Sequence, residues 1–411
     1  MKIAFLVGRF PVISETFILN QITGLIDAGH QVNIFARARP GGGQAHGEVE
    51  SYGLLERTRY FHVPGGRVER VVGAARVLAR MVRQGMARAM LPALDPRRAG
   101  RQAFTLRGVH LIHPLLERGP HDILHCHFGT VGLTGAQLKA MGVPGKLVVT
   151  FHGHDLSAYL TGRGAGVYDG LFRRADLLMP VSQYWRQKLV DAGADEAKIL
   201  VHRMGINLEH FPFAPRFAAP GDEIRLLTVG RLVEKKGVAF ALEALARLRA
   251  RQPGWKIRYE VVGGGEQEGA LRARIAWLGL EGTAFLLGPQ PREVVMERMR
   301  AAHIFLQPSV TGAGGDQEGI PVSIMEAMAA GLPVLSTLHS GIPELVEDGA
   351  SGFLVPEWDV EALAGCMERL AANPASWVEI GAAGRRMVEA HHDIRKLNAR
   401  LEEAYRGLVG R

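Results

Sequence analysis

The chain has 411 residues, 47% of them apolar, with mean hydropathy near zero. That is enough for two or three packed domains, and there is no run of about 18 apolar residues that could cross a membrane as a helix. Two cysteines, Cys126 and Cys366, exclude a disulfide framework and fit a reducing cytoplasm. A formal charge of +8 and a pI near 9.7 call for an anionic partner, whether phosphate, nucleic acid or a membrane surface, without choosing among them.

MKIAFLVGRF has one lysine and a short apolar run stopped by Gly8 and Arg9, so it reads as a first strand rather than a secretory signal. SETFILNQITGLIDAG has helical spacing, with Ser14 as start signal and Gly29 as stop, and QVNIFA is a second strand. The loop between the first strand and this helix, GRFPVISET, would line a cleft. Its Ser14, Glu15 and Thr16 are weak candidates for phosphate or acceptor contact, and helix capping explains Ser14 equally well. Residues 67–90 form a basic amphipathic segment, with Arg76, Arg80 and Arg83 on one helical face and Val71, Leu78 and Val82 towards another. Arg97, Arg98, Arg101 and Arg107 extend it, so residues 67–107 read equally as an anionic-membrane surface or as a packed outer helix with solvated arginines. No aromatic-basic interleaving or binding motif points to nucleic acid.

The apolar runs DILHCHF, KLVVTFH, DLLMPVS and KILVHRM continue the strand–helix alternation. Two of them end in His125, Cys126, His127 and in His152, His154, Asp155. Their spacing fits no zinc pattern, so these residues are cleft-facing or packed strand ends rather than metal ligands. The Pro-rich stretch 207–222 reads as a linker between domain 1–206 and domain 223–391, with a last helix, about 392–411, returning to the first domain. In the second domain, IRLLTVGRL, IRYEVVGGG, AFLLG, IFLQPS, PVLST and GFLVP repeat the alternation. The expected class is α/β: two doubly wound parallel sheets facing across a cleft. VVGGGEQEG lacks G-x-G-x-x-G spacing, which argues against a nicotinamide enzyme; a tight turn at Gly264 near a nucleotide base is the better account.

Two features bear on chemistry. VGRLVEKKG hangs Arg231 and Lys236 from a loop at the carboxyl end of a strand, where such sheets bind ligands. DQEGIPVSIMEAMAAGLPV places Glu318 before a helix of roughly 321–330 and Glu326 inside it, with free first-turn amides between them. At 1.5 Å per residue the acids should sit about 10 Å apart, the span of a diphosphate with a sugar at each end.

EGIPVSIMEAMAAGLPVLS, GRLVEKKG and HSGIPELVEDGASGFLVPEWD together resemble the retaining glycosyltransferases of family four, with the GT-B fold, across essentially the whole chain. FPVISETFILNQI and HSGIPELV look most like the subgroup that builds colanic acid and other bacterial exopolysaccharides. The resemblance implies that Arg231 and Lys236 bind the diphosphate of a UDP- or GDP-sugar, that Glu326 holds the ribose and Glu318 the transferred sugar. It also implies that the backbone of Gly319, Ile320, Pro321 and Val322 completes the cradle. His152 would lie by the reaction centre, with His127 and Asp155 weaker acceptor contacts. Ile320-Pro321 departs from the family's Phe-Gly and removes one amide donor. No Asp-x-Asp occurs, so no metal or other cofactor is expected. The implied reaction is metal-independent transfer with retention to a lipid-linked or saccharide acceptor, by a cytoplasmic enzyme that would be peripheral on the inner face of the plasma membrane if residues 67–107 bind lipid. A nucleotide-sugar 2-epimerase of the same architecture is the alternative, and a non-catalytic sugar-nucleotide-binding subunit a third class.

Overall fold

The computed structural model describes residues 1–12, 15–40, 47–164 and 166–410. The first half builds a parallel sheet from β1 (Lys2–Arg9), β2 (Gln31–Ala38), β3 (Thr58–Tyr60), β4 (Ile123–His127), β5 (Lys146–Phe151) and β6 (Leu177–Pro180), ordered β3-β2-β1-β4-β5-β6. The second builds one from β7 (Ile224–Val229), β8 (Ile257–Val262), β9 (Ala284–Gly288), β10 (Ile304–Leu306), β11 (Val334–Thr337) and β12 (Phe353–Val355), ordered β12-β11-β10-β7-β8-β9. Both follow one winding, in which the order reverses beside the first strand of each sheet, and ligands of such sheets sit beyond the carboxyl ends at that reversal. The central strands are covered on both faces, which is why Ile3–Val7 and all of β4 are buried runs without alternation.

One apolar cluster runs from the first sheet into the second half through Phe305, Ile320, Ile324 and Met325, so the halves share a core. The chain crosses between them twice. Ile206 N donates to His392 O at 2.9 Å and Ile394 N to Ile206 O at 3.1 Å, so the crossings lie side by side. Beyond them, helix Ile394–Val409 lies along helix Thr16–Asp27 of the first half. Asn398 Nδ2 donates to Asn20 O at 3.1 Å, Tyr405 Oη sits 2.6 Å from His125 Nδ1, and Glu402 pairs with His30 at 3.0 Å.

Some local expectations give way. KILVHRM is no strand: Ile199 makes a single bridge to Leu178, and two amides tie the stretch to the short edge strand β6 before the chain leaves the sheet to cross. The first helix begins at Thr16 with Glu15 in the cap position, and Ser14 lies outside the described residues. Pro321 has ψ 117° and stands just outside the helix, which spans Val322–Ala329. In helix Arg67–Arg83 the inward face is Arg70, Ala74 and Met81, while Val71 and Val82 are 55% and 61% exposed. Gly73 sets this face: a Cβ there would come 2.9 Å from the His110 ring, so the helix docks by its small residues and leaves its valines outside.

Candidate active site

Four segments at the carboxyl ends of the two sheets converge on a cavity of about 630 Å³. From the second half, β7 ends at Val229 and passes through Gly230 to Arg231, then into the turn Glu234–Lys236. This loop is held backbone to backbone by the triple glycine after β8. A Cβ at Gly263 would come within van der Waals overlap of Gly230 O, and one at Gly265 would lie 2.4 Å from Leu232 O. The glycines therefore serve the approach of the cationic loop. Gly264 packs on Pro289 and does not line this cavity.

Glu318 is buried beside that loop. Lys236 Nζ donates to its Oε2 at 3.2 Å, while Oε1 is buried without a partner among the described residues. Its backbone is fixed as well: Glu318 N–H donates to His339 Nε2 at 3.0 Å, and Ser340 Oγ to Glu318 O at 2.8 Å. His339 must then carry its proton on Nδ1, which lies 2.6 Å from Glu357 Oε1. Burial raises the Glu318 carboxyl, but the nearby Lys236 and Lys235 outweigh it and hold it below its usual value. Gly319, Ile320, Pro321, Val322 and Ser323 follow along the wall, and the first-turn amides of Val322 and Ser323 have no acceptor within their helix. Glu326 lies one turn further in, at the junction with a second cavity of about 780 Å³ shared with Thr16 and bordered by Arg292, His210 and Met296. Burial pushes Glu326 up to about 7, against the pull of Arg292.

From the first half come Glu15, Thr16, Phe17, Phe128, His152 and His154. Glu15 is raised to about 7 by burial, with Arg231 and Arg9 pulling it down. His152 is wedged between the rings of Phe17 and Phe128, each 4.6 Å away, and its Nε2 lies 3.0 Å from His127 Nδ1. Burial, with His125 and His202 beside it, holds His152 down at about 3, so it is neutral. His127 is fully buried behind it and does not reach the cavity. Asp155 is buried too, its carboxylate accepting from the amides of Gly129, His152 and Gly153 at 2.8, 3.1 and 2.9 Å. It shapes the loop that presents His152 rather than facing the cavity.

At Gly153 and Gly319 the halves meet with no side chain between them. A Cβ on Gly153 would lie 2.8 Å from Gly319 N, and one on Gly319 would lie 2.1 Å from His152 O. Around that contact, Trp185 Nε1 donates to Gly319 O at 3.3 Å and Glu344 accepts from the amides of Gln183 and Tyr184 at 3.0 and 2.9 Å. Lys235 and His154, on opposite halves, both hold Asp316 at 3.0 Å. Sequence reasoning missed Lys235 and Asp316 as site residues; their signal was only that each adjoins a motif residue. The cavity thus joins three cations to two firmly ionised acids, Glu318 and Asp316, plus Glu15 and Glu326 that titrate near 7. Among the described residues Arg231 makes no ion pair, and this free guanidinium and the helix amino end suit an anion.

Residues 14–205 match the family described as glycosyl transferase 4-like domain, and residues 211–387 the family described as glycosyl transferases group 1. The chain is 41% identical over 368 residues, 89% of each protein, to WcaL of Salmonella typhimurium, named for colanic acid biosynthesis. It is 38% identical over 391 residues, 95% of each, to the amylovoran biosynthesis glycosyltransferase AmsK of Erwinia amylovora. Its fold is like that of Anabaena HepE, solved in complex with UDP and glucose, at a TM-score of 0.71 and 18% identity over 98% of this chain and 99% of that one. The 2-epimerase alternative gains no support from these likenesses. On the two family matches and these near full-length relatives, the chain belongs to the group 1 glycosyltransferases, with their 4-like amino-terminal domain and GT-B fold.

Proposed function

We propose that this transferase moves a sugar, with retention of anomeric configuration, from a UDP- or GDP-sugar to a lipid-linked saccharide during assembly of a bacterial exopolysaccharide. The observation that carries the reading is the grouping of Arg231, Lys236, Glu318 and Glu326 around one helix amino end in the cleft. Charge that grows on a departing diphosphate is stabilised there by fixed cations and amides, without a metal. Glu318, its Oε1 still unpartnered, accepts from hydroxyls of the transferred sugar, and Glu326 from the ribose. The cavity beyond Glu326 takes the base. His152, neutral, contacts the sugar at the reaction centre, and a donor phosphate oxygen takes the acceptor proton. WcaL and AmsK support the pathway class, and the UDP of HepE and the GDP-mannose-dependent mannosyltransferase of Mycolicibacterium smegmatis support the two donor classes.

A panel of UDP-, GDP- and ADP-sugars with a membrane-extract acceptor, read as nucleoside diphosphate release in the presence of chelator, tests the proposal. Release that needs a metal, needs no acceptor, or yields an inverted product by NMR overturns it in that respect.

The acceptor's lipid points to work at a membrane surface on the cytoplasmic side. No helix among the described residues is long and apolar enough to cross a membrane. Residues 67–107 instead carry ten arginines against Glu69 and Asp95, a net +8 that equals the charge of the whole chain. The same stretch exposes Val68, Val71, Val72, Val82, Leu91, Leu94 and Phe104. Arginine interleaved with exposed large apolar side chains fits an anionic interface.

A further inference from the structure

A third cavity lies far from the cleft, against the arginine-rich segment 67–107. Its volume is about 350 Å³, and it is walled by helix Ala87–Leu94, helix Arg107–Glu117 and the loops that lead into β4 and β5. Those loops stand at the amino ends of the strands, the opposite edge of the sheet from the site of transfer. Met86, Pro92, Ile112, Leu116, Met141 and Val143 give it an apolar lining, and among the described residues Arg98, held only loosely by Asp95 at 3.8 Å, is its one charged side chain. The other polar wall residue, His121, is bonded to Asn33 at 3.1 Å and pushed down to about 4 by burial and by Lys2, so it brings no charge. With so apolar a lining, this cavity suits a hydrocarbon rather than a sugar or nucleotide.

The surroundings say which hydrocarbon. The helix that presents Ala89 and Pro92 to the cavity shows Arg88, Leu91 and Leu94 to solvent, and Phe104 stands 78% exposed a few residues on. Arg97 and Arg101 flank Arg98 in sequence. An apolar hole with an arginine at its edge, set in a surface of arginines and bare apolar side chains, matches a chain attached to a negatively charged head.

We propose that this cavity takes one acyl chain of an anionic membrane phospholipid, with Arg98 meeting the phosphate, so that the protein is anchored by an inserted chain as well as by surface charge. The inference rests on the membrane-surface reading above, and one experiment separates the two. Phosphatidylcholine vesicles with and without phosphatidylglycerol carrying a photoreactive group midway along one acyl chain are irradiated with the full-length protein, and the labelled peptides are mapped. Label is expected on the peptides of Met86–Pro92, Ile112–Leu116 and Met141–Pro144. Ala89→Trp, at an exposed cavity-lining position, should cut that label by roughly tenfold or more with the melting temperature unchanged, while Ala89→Ser keeps it. Label confined to Val71, Val82 and Phe104, unmoved by Ala89→Trp, leaves the protein on the membrane but overturns the chain pocket. No sedimentation with phosphatidylglycerol vesicles overturns both.

Discussion

Lys236 Nζ and Glu318 Oε2 lie 3.2 Å apart in the cleft, and both side chains are nearly closed off from water. Removing one partner of such a pair strands the other. Lys236→Ala is therefore expected to abolish turnover and also to cost about 2 kcal/mol of stability, softened by the neighbouring Lys235. Glu318→Ala removes the acid and should abolish turnover with a smaller loss in thermal melting. Nucleoside diphosphate release and melting curves on both variants check this; near-normal rates in both would remove the pair from the site.

Glu15 and Glu326 both titrate at about 7 in the folded chain against an ordinary 4.5, because burial disfavours their charge. Between those values the folded chain binds more protons than the unfolded one, so this contribution to stability falls as pH rises from 4.5 to 7. Glu15→Gln and Glu326→Gln should each flatten the slope and melt higher than the parent at pH 8. Melting temperature against pH in the absence of donor is the measurement.

Asp316 has the opposite sign. Burial raises it, but His154 and Lys235 prevail and bring it to about 2, below the ordinary 3.8. Its stabilisation is in place above 3.8 and is lost as pH falls through 2. Asp316→Asn should lose stability at neutral pH, and its difference from the parent should shrink steadily as pH falls from 3.8 towards 2, as judged by denaturant unfolding across that range.

Gly153 and Gly319 bring the halves together backbone to backbone. Gly319→Ala places a methyl carbon 2.1 Å from His152 O, so the halves must separate by an ångström or more. A misplacement of that size at a reacting centre costs on the order of a hundredfold in rate. We expect that loss in kcat, with each half still folded by circular dichroism and a larger radius by X-ray scattering.

The arginines of residues 67–107 should act additively on vesicle binding. Replacing Arg80, Arg83, Arg97 and Arg101 singly by Gln should each weaken binding to phosphatidylglycerol vesicles by about 1 kcal/mol, without changing transfer to a soluble acceptor. Equal binding to neutral vesicles would contradict this.

Much of the architecture was legible because buried parallel strands are short apolar runs, and the second half repeats the first. The cationic loop and the acid-flanked helix were legible because their spacing is local. What stayed hidden depends on contacts between distant residues. His154 and Asp316 stand 162 apart in the chain, and nothing in either segment announces the other. Periodicity marked helix Arg67–Arg83 as amphipathic but not which face docks; Gly73 against His110 decides that, and it turns Val71 and Val82 outwards. Asp155 looked like a cleft acid because its segment ends a strand, yet three amides claim its oxygens.

Because the final helix returns to the first half, the polypeptide spans the waist of the molecule in two neighbouring passes bonded to each other at Ile206. Two adjacent passes tied to each other restrain the lobes more than a single pass could, and so help to keep Gly319 in register against Gly153.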